Sequence, residues 1–325
     1  MTSKICIVES TNRRLGINDT SIVHVKNSLI LARELNADIV MCEDDAPMLE
    51  NKYDHIIFAY GSPYMPYNSY VDRVLENKDA SLLWMVNDHD IEDNIALRKI
   101  IIAENGRRKY RVICNNPQAG YRHWIMNKNI HGKKLHEWIG DWLTVNLNTL
   151  IFNEHSNTVA DSLFQQQENK AIYWGTYRKH RLPYFKKYAD TSIVFSTSNK
   201  NQKKLIANDC GFTFCEKIDW RYVMPYAASL YLEDVHTHDN YAFLANRFYE
   251  ALNNGMATFF DVSTANTVSK CGLDLGACMV DGVNDLNAKI KNWESIYAKQ
   301  IANAAAIHNE KQEVIKKINI FIKNS

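Results

Sequence analysis

"NRFYEALNNGMATFFD", Asn246–Asp261, holds a helix, a turn and a strand in one short run. Leu244, Phe248, Ala251 and Leu252 recur at the three- and four-residue steps of one helical face, and Asn246, Arg247 and Glu250 fall on the adjoining polar arc. Asn253-Asn254-Gly255 stops the helix, because glycine adopts the left-handed conformation that closes a C-terminus. Ala257–Phe260 then reads as a short, continuously apolar strand of the kind buried in a sheet. Helix followed by buried strand is the repeating unit of an α/β protein.

The same alternation runs outward in both directions. Towards the N-terminus, strands are expected at Lys4–Glu9, Ala37–Glu43, Asp54–Tyr60, Ser81–Val86 and Arg111–Asn115, with helices at His24–Asn36, Tyr67–Lys78 and Ile91–Ala103. A less regular stretch covers 120–165. Strands then resume at Ala171–Gly175, Ser192–Ser196, Phe212–Cys215, Ser229–Leu232, Ala257–Asp261 and Cys278–Val280. Ser295–Ser325 has no Gly or Pro and carries Tyr297, Ile301, Ala304, Ile315, Ile318 and Ile322 at helical spacing, so a long C-terminal helix is expected, bent near the polar stretch His308–Glu313. The fold class is α/β: two Rossmann-like domains with parallel sheets facing a cleft, and a long C-terminal helix. The expected boundaries are 1–165, 166–300 and 301–325, the last segment packing back toward the first domain.

Composition fits this reading. A chain of 325 residues is long enough for roughly two domains, and 46% hydrophobic residues is enough for full cores. Lys+Arg 38 against Asp+Glu 37 neither demands nor excludes nucleic acid, since a local basic face suffices. Seven scattered cysteines fit free thiols in a reducing compartment. MTSKICIVES opens into a strand pattern with no signal-peptide core, and no apolar run approaches the ~20 residues of a membrane span. A protein inside the cell, away from membranes, is expected.

Five stretches can carry chemistry. On the Asn246–Asp261 helix, Glu250 can present a carboxylate to a ribose diol and Arg247, one turn away, can meet a diphosphate; a solvated i, i+3 ion pair explains the spacing equally simply. In "YWGTYRKHRLPYFKKY", Tyr173–Tyr188, Gly175 permits close backbone approach, Thr176 offers a hydroxyl, and Arg178 and Arg181 add charge near a helix start, a pattern suited to phosphate; Lys186 and Lys187 make a basic nucleic-acid surface the rival. In "LLWMVNDHDIEDN", Leu82–Asn94, Asp88 stands at a strand's carboxyl end, where open α/β sheets hold ligands, and can act as general base; a turn aspartate is the plain alternative, and His89 is the backup base. In "HTHDN", His236–Asn240, no second cluster completes a metal ligand set, while Asp234 just before it can bond a sugar hydroxyl. The aromatic loop "YGSPYMPYNSY", Tyr60–Tyr70, with Tyr64 and Met65, can stack on a base or fill its place, or simply pack on itself. Arg13-Arg14, Arg107-Arg108-Lys109 and Lys133-Lys134 supply basic loops that suit either phosphates or solvent.

"AIYWGTYRKHR" and "NRFYEALNNGMATFFD" together resemble T-even phage DNA β-glucosyltransferase and related phage DNA glycosyltransferases of the GT-B fold, through a strand with a Gly-Ser/Thr turn and arginine pair, and through an Arg-x-x-Glu helix with its following strand. The resemblance implies transfer of a sugar from a UDP-sugar to the hydroxymethyl group of a pyrimidine in double-stranded phage DNA, in the cytoplasm of an infected host cell, by a monomer. It implies that Arg178, Arg181 and Arg247 bind the UDP diphosphate beside the Gly175–Thr176 turn, that Glu250 holds the ribose, that Asp234 lies near the donor sugar, and that Asp88 is the catalytic base. Arg13, Arg14, Tyr64, Met65, Arg107 and Arg108 would meet the DNA. No metal ligand set is implied, and no cofactor beyond the donor is required, although Mg2+ is compatible with the diphosphate. Two spacings depart from the family: Arg178 and Arg181 are one residue closer together, and the segment from Asp234 to Arg247 is two residues longer. The same donor chemistry on a saccharide or lipid acceptor, and a non-catalytic nucleotide- or nucleic-acid-binding protein, remain the alternatives.

Overall fold

The computed structural model describes residues 4–9, 22–41, 53–59, 78–86, 110–115, 127, 129–130, 132–152, 168–215, 225–233, 244–270 and 275–324. The chain divides into two compact units, one of 1–16, 21–150 and 310–325, the other of 17–20 and 151–309.

The first unit is built on strands β1 (Ile5–Glu9), β2 (Asp38–Met41), β3 (His55–Phe58), β4 (Ser81–Val86), β5 (Tyr110–Asn115) and β8 (Ile139–Val145), in the order β2-β1-β3-β4-β5-β8. Every pair in it is parallel. The only antiparallel pair described is the small hairpin of β6 (Asn129–Ile130) and β7 (Lys133–Lys134). Parallel strands need covering on both faces. On one face Ile5, Ile7, Ile57, Leu83, Met85 and Ile113 meet Leu31 and Ala32 of the Ile22–Leu35 helix and Val314, Ile315, Ile318 and Ile322 of the C-terminal helix. The alternate residues point to the other face, where Trp84 stacks on Phe58 at 4.5 Å between centroids and meets Tyr110 edge-on at 5.4 Å.

The strand β8 falls in the stretch read as irregular. Its sequence, IGDWLTV, starts with Gly and Asp, and only its ends are buried, so neither a continuous apolar run nor a clean alternation marks it. It is an edge strand, recognised by its pairing with β5. The expected helices at 67–77 and 91–103 lie outside the described residues.

The second unit carries β9 (Glu168–Trp174), β10 (Ile193–Ser196), β11 (Thr213–Cys215), β12 (Tyr226–Tyr231), β13 (Ala257–Asp261) and β14 (Met279–Val280), ordered β11-β10-β9-β12-β13-β14 and parallel throughout. From β9 the chain winds outward to β10 and β11, then returns to the other side of β9 as β12. The strand order therefore reverses between β9 and β12, where doubly wound sheets open a crevice at their carboxyl ends.

The Asn246–Asn253 helix buries Phe248, Tyr249, Ala251 and Leu252 and ends at Asn254. Gly255 has φ 71°, its N–H reaches the Leu252 carbonyl at 3.2 Å, and the Met256 N–H reaches that of Ala251 at 3.0 Å. This is the paired closure of a Schellman motif, with Met256 packed in one cluster with Ala251. The chain is thereby turned straight into β13. Because β14 pairs only with Phe260 and Asp261, the start of β13 lacks a neighbour there, and the Gln300 side-chain amide bonds both the N–H and the carbonyl of Thr258, at 2.9 and 2.8 Å.

The C-terminal helix breaks at Asn303, between Trp293–Ala302 and Ala304–Lys323, and does not bend at His308–Glu313. That polar stretch continues the helix because the buried stripe Ile307, Lys311, Val314, Ile318 and Ile322 passes through it unbroken, and Glu, Lys and Gln are good helix formers.

Candidate functional site

The reversal between β9 and β12 gathers a set of charged side chains. β9 ends in Tyr173 and Trp174, and Gly175 follows with φ 157°. Gly175 is pinned to the neighbouring strand: its N–H donates to the Ser196 carbonyl at 3.3 Å, and the Thr197 hydroxyl donates to its carbonyl at 2.7 Å. Arg247, in the first turn of its helix, lies across this strand end. Its Nε donates to the Trp174 carbonyl at 3.2 Å, and Nη1 donates to the Leu232 carbonyl at 3.4 Å and to Glu233 Oε1 at 2.9 Å. The guanidinium stacks on the Tyr173 ring, 4.6 Å from its centroid. Nη2 has no protein partner among the described residues and faces Gly175: a Cβ there would stand 3.3 Å from it and 3.2 Å from the Tyr173 hydroxyl.

Glu233 is the hub. Its side chain is 4% exposed, and its second oxygen, Oε2, accepts from Arg181 Nη2. Arg181 is itself buried, with Nη1 donating to the Tyr173 hydroxyl at 3.3 Å. One carboxylate thus lies between two guanidiniums, which leaves one positive charge uncompensated by these three groups in a largely desolvated place. Burial works against the charge on Arg247, but Tyr173, Glu233 and Tyr231 together outweigh burial and the repulsion of Arg181, and its pKa lies above the ordinary arginine value. Glu250, one turn along the helix, accepts from the Trp174 indole N–H at 3.0 Å. Trp174 therefore holds Arg247 through its carbonyl and Glu250 through its ring.

Of the sequence candidates, Gly175, Arg181, Arg247 and Glu250 are brought together. Thr176 and Arg178 are exposed, outside the buried cluster; Arg178 precedes the Lys179–Arg181 turn and caps nothing with its side chain. The i, i+3 pairing weighed for Arg247 and Glu250 gives way to separate partners, Glu233 and Trp174, because both side chains reach across to strand ends. Asp88, His89, Asp234, Arg13, Arg14, Tyr64, Met65, Arg107 and Arg108, with the His236–Asn240 stretch, lie outside the described residues. Lys133 and Lys134 are exposed, with Lys133 4.8 Å from the Trp138 ring centroid.

Sequence reasoning missed Glu233. In "YLED" nothing local marks Glu233 as turned inward; the two arginines that hold it come from other elements of the chain. It also missed a second polar cluster at the carboxyl ends of β13 and β14. Asp261, 1% exposed, accepts from Lys187 Nζ at 2.7 Å, the Tyr188 hydroxyl at 2.7 Å and the Ser263 N–H at 2.9 Å. Burial raises the Asp261 pKa, but Lys187, Ser263 and Tyr188 together bring it below the usual carboxylate value. Lys187 also pairs with Asp281, so the basic residue read as a nucleic-acid contact is held by two carboxylates. Among the described residues no group of three His, Cys, Asp or Glu is placed to hold a metal ion, and no helix is long and apolar enough to cross a membrane.

With this geometry in view, two solved structures are similar over nearly the whole chain. One is the DNA-modifying enzyme β-glucosyltransferase, determined in the presence and absence of its substrate uridine diphosphoglucose: TM-score 0.60, 13% identity, 99% of this chain and 98% of that one. The fold is GT-B-like. The other, Anabaena Alr3699/HepE in complex with UDP and glucose, has TM-score 0.52 and 9% identity over 97% of this chain and 99% of that one. No protein-family model matches the sequence, and no curated protein does. At such identities the likeness is one of fold, which in this chain consists of two parallel six-stranded sheets and a long C-terminal helix.

Proposed function

We propose that the protein is a glycosyltransferase that moves a sugar from a UDP-sugar to the hydroxymethyl group of a modified pyrimidine in double-stranded DNA. The observation that carries the reading is the open Nη2 of Arg247 beside Gly175, at the reversal of strand order, with the Glu250 carboxylate one turn away. A guanidinium locked on three sides and open on the fourth is a preorganised anion donor, and a carboxylate at that distance along a helix suits the ribose diol. Arg181 adds charge to the same place through the shared Glu233, Arg178 is the exposed cation next to it, and Thr176 offers its hydroxyl at the turn. Asp234, adjoining Glu233 in sequence, is assigned to the donor sugar.

In this reaction the Asp88 carboxylate takes the proton of the acceptor hydroxymethyl group. The acceptor oxygen attacks the anomeric carbon, and the bond to the UDP oxygen breaks. The arginines stabilise the charge growing on the departing diphosphate, where most of the barrier reduction lies. Mg2+ is compatible with that diphosphate but not required. The target base leaves the duplex stack to react, at a cost of a few kcal/mol, and Arg13, Arg14, Tyr64, Met65, Arg107 and Arg108 are assigned to the DNA. The DNA acceptor is supported by the similar DNA-modifying enzyme and by the residue patterns above.

The test is mass spectrometry of hydroxymethylated and plain duplex DNA incubated with the protein and a panel of UDP-sugars. A sugar-sized mass increase confined to the hydroxymethylated duplex is expected. Turnover that needs no DNA, with a saccharide or lipid as acceptor, would move the protein to a different acceptor class.

A further inference from the structure

The second unit carries a run of charge, most of which the donor site does not use. Residues 175–188 and 191–208 contain no Asp or Glu, yet hold Arg178, Lys179, Arg181, Lys186, Lys187, Lys200, Lys203 and Lys204, in a chain whose net charge is only +1. The structure sorts these cations. Arg181 and Lys187 are tied to buried acids, while Lys186 is exposed on the separate Leu182–Lys187 helix. Arg178, Lys179, Lys200, Lys203 and Lys204 are exposed, and none makes an ion pair among the described residues.

These five belong to one surface. Lys200, Lys203 and Lys204 follow an i, i+3, i+4 pattern on the Asn199–Ile206 helix and so share a face along about 6 Å of its axis. Lys204 Nζ lies 5.5 Å from the centroid of Tyr177, which directly precedes Arg178 and Lys179. The surface begins at the carboxyl ends of β9 and β10, where Ser196 and Thr197 hold Gly175, so it shares a sheet edge with the Arg247 cluster. Unpaired lysines at this density repel one another and are tolerated only because water screens them; a polyanion with regularly spaced charges relieves that repulsion along the whole face.

We infer that this face of the second unit, Lys179, Lys200, Lys203 and Lys204 around Tyr177, is a contact for the phosphate backbone of duplex DNA, in addition to any contact from the first unit. The inference rests on the DNA-acceptor reading above. The contact is independent of base sequence: lysine is a point charge that binds phosphate oxygens without reading bases. Its role is to hold the duplex beside the sheet edge that binds the donor.

The experiment compares the full-length protein with a K200E/K203E/K204E variant, leaving Arg178 intact. Affinity for a short unmodified duplex is measured by fluorescence anisotropy over a salt series, with UDP binding followed by calorimetry and binding to phosphatidylserine vesicles as a third arm. The variant is expected to bind duplex at least about tenfold more weakly at low salt, with the log–log salt slope reduced by about 2.7 for three lost phosphate contacts, and to bind UDP as the parent does. Unchanged duplex affinity and slope would overturn the inference. So would parent binding to anionic vesicles tighter than to duplex and abolished in the variant, because the face would then be a membrane contact. Failure of the parent to bind UDP would sink the donor site while leaving the duplex comparison readable.

Discussion

At the carboxyl end of β5 in the first unit, Asn115 closes the chain with neutral groups: its amide donates to Asn148 Oδ1 at 3.0 Å, and its own oxygen accepts the Leu147 N–H at 2.9 Å. At the carboxyl ends of β9 and β12 in the second unit, the corresponding work is done by charges, with Glu233 between Arg181 and Arg247. Here neutral amides bond one another and the backbone. A buried carboxylate shared by two guanidiniums leaves Arg247 Nη2 without a partner among the described residues. Burying such groups costs more than burying amides, so a charged strand end is poor economy unless something anionic completes it. The Asp261 cluster at the end of the adjacent strand β13 shows the other outcome: there the acid has Lys187, Tyr188 and Ser263 around it, and the arrangement closes as a structural tie.

The sharpest break between the units is expected at the acceptor side. Asp88→Ala should slow sugar transfer by about 10²–10⁴-fold with UDP affinity unchanged, in a radiolabelled-sugar assay beside calorimetry; unaltered transfer would remove Asp88 as base. Next, Asp261→Asn should destabilise the protein by about 3 kcal/mol in urea melts at neutral pH, with UDP still bound. That figure is at the low end for breaking a buried pair because Lys187 stays partly solvated. Asp261 has its pKa depressed by folding, so its contribution is complete above the unfolded value of about 4 and disappears as pH falls through the folded value. Lys187 has its pKa raised, since its two carboxylates outweigh burial, so its contribution holds below about pH 10 and is lost as pH rises through the folded value. The gap between parent and variant should therefore be flat through the neutral range and narrow in acid; a gap that widens in acid would contradict the assignment.

Smaller effects refine the contrast. Arg247→Ala should weaken UDP by about 1.5–3 kcal/mol and uridine much less, since the loss is at the diphosphate; equal losses for the two ligands would place Arg247 elsewhere. Asn115→Ala should cost about 1–2 kcal/mol of stability, by calorimetric melting, without touching UDP. Gly175→Ala, which brings a Cβ to 3.3 Å from Arg247 Nη2 at φ 157°, should cost about 1 kcal/mol and reduce UDP affinity by displacing the guanidinium. An alanine variant that binds UDP like the parent would mean that the open side of Arg247 is not where the anion lies.

Much of this was readable locally. The strands β1, β4, β5, β10 and β13 are short apolar runs bounded by polar residues, and each lies within a residue or two of its expected span. The Asn246–Asp261 stretch announces its helix, its glycine closure and its strand because each depends on neighbours within five residues. β8 was not readable, since an edge strand with one half-solvated face needs no apolar run. Polarity at His308–Glu313 points to a bend there, whereas the break occurs at Asn303 and the polar stretch keeps its buried stripe.

The sequence by itself determined the α/β class, the parallel sheets and which residues near Gly175 and Arg247 had the chemistry for an anion. These follow from hydrophobic period and from backbone preferences, both of which act over a few residues. Only the tertiary structure decided that Glu233 turns inward, that it is shared by Arg181 and Arg247, and that no described residue takes Arg247 Nη2. Those outcomes depend on residues from separate elements, Arg181 and Glu233 52 positions apart among them, meeting at a reversal of strand order, and on the cost of burying charge, which exists only once the sheet has closed around it.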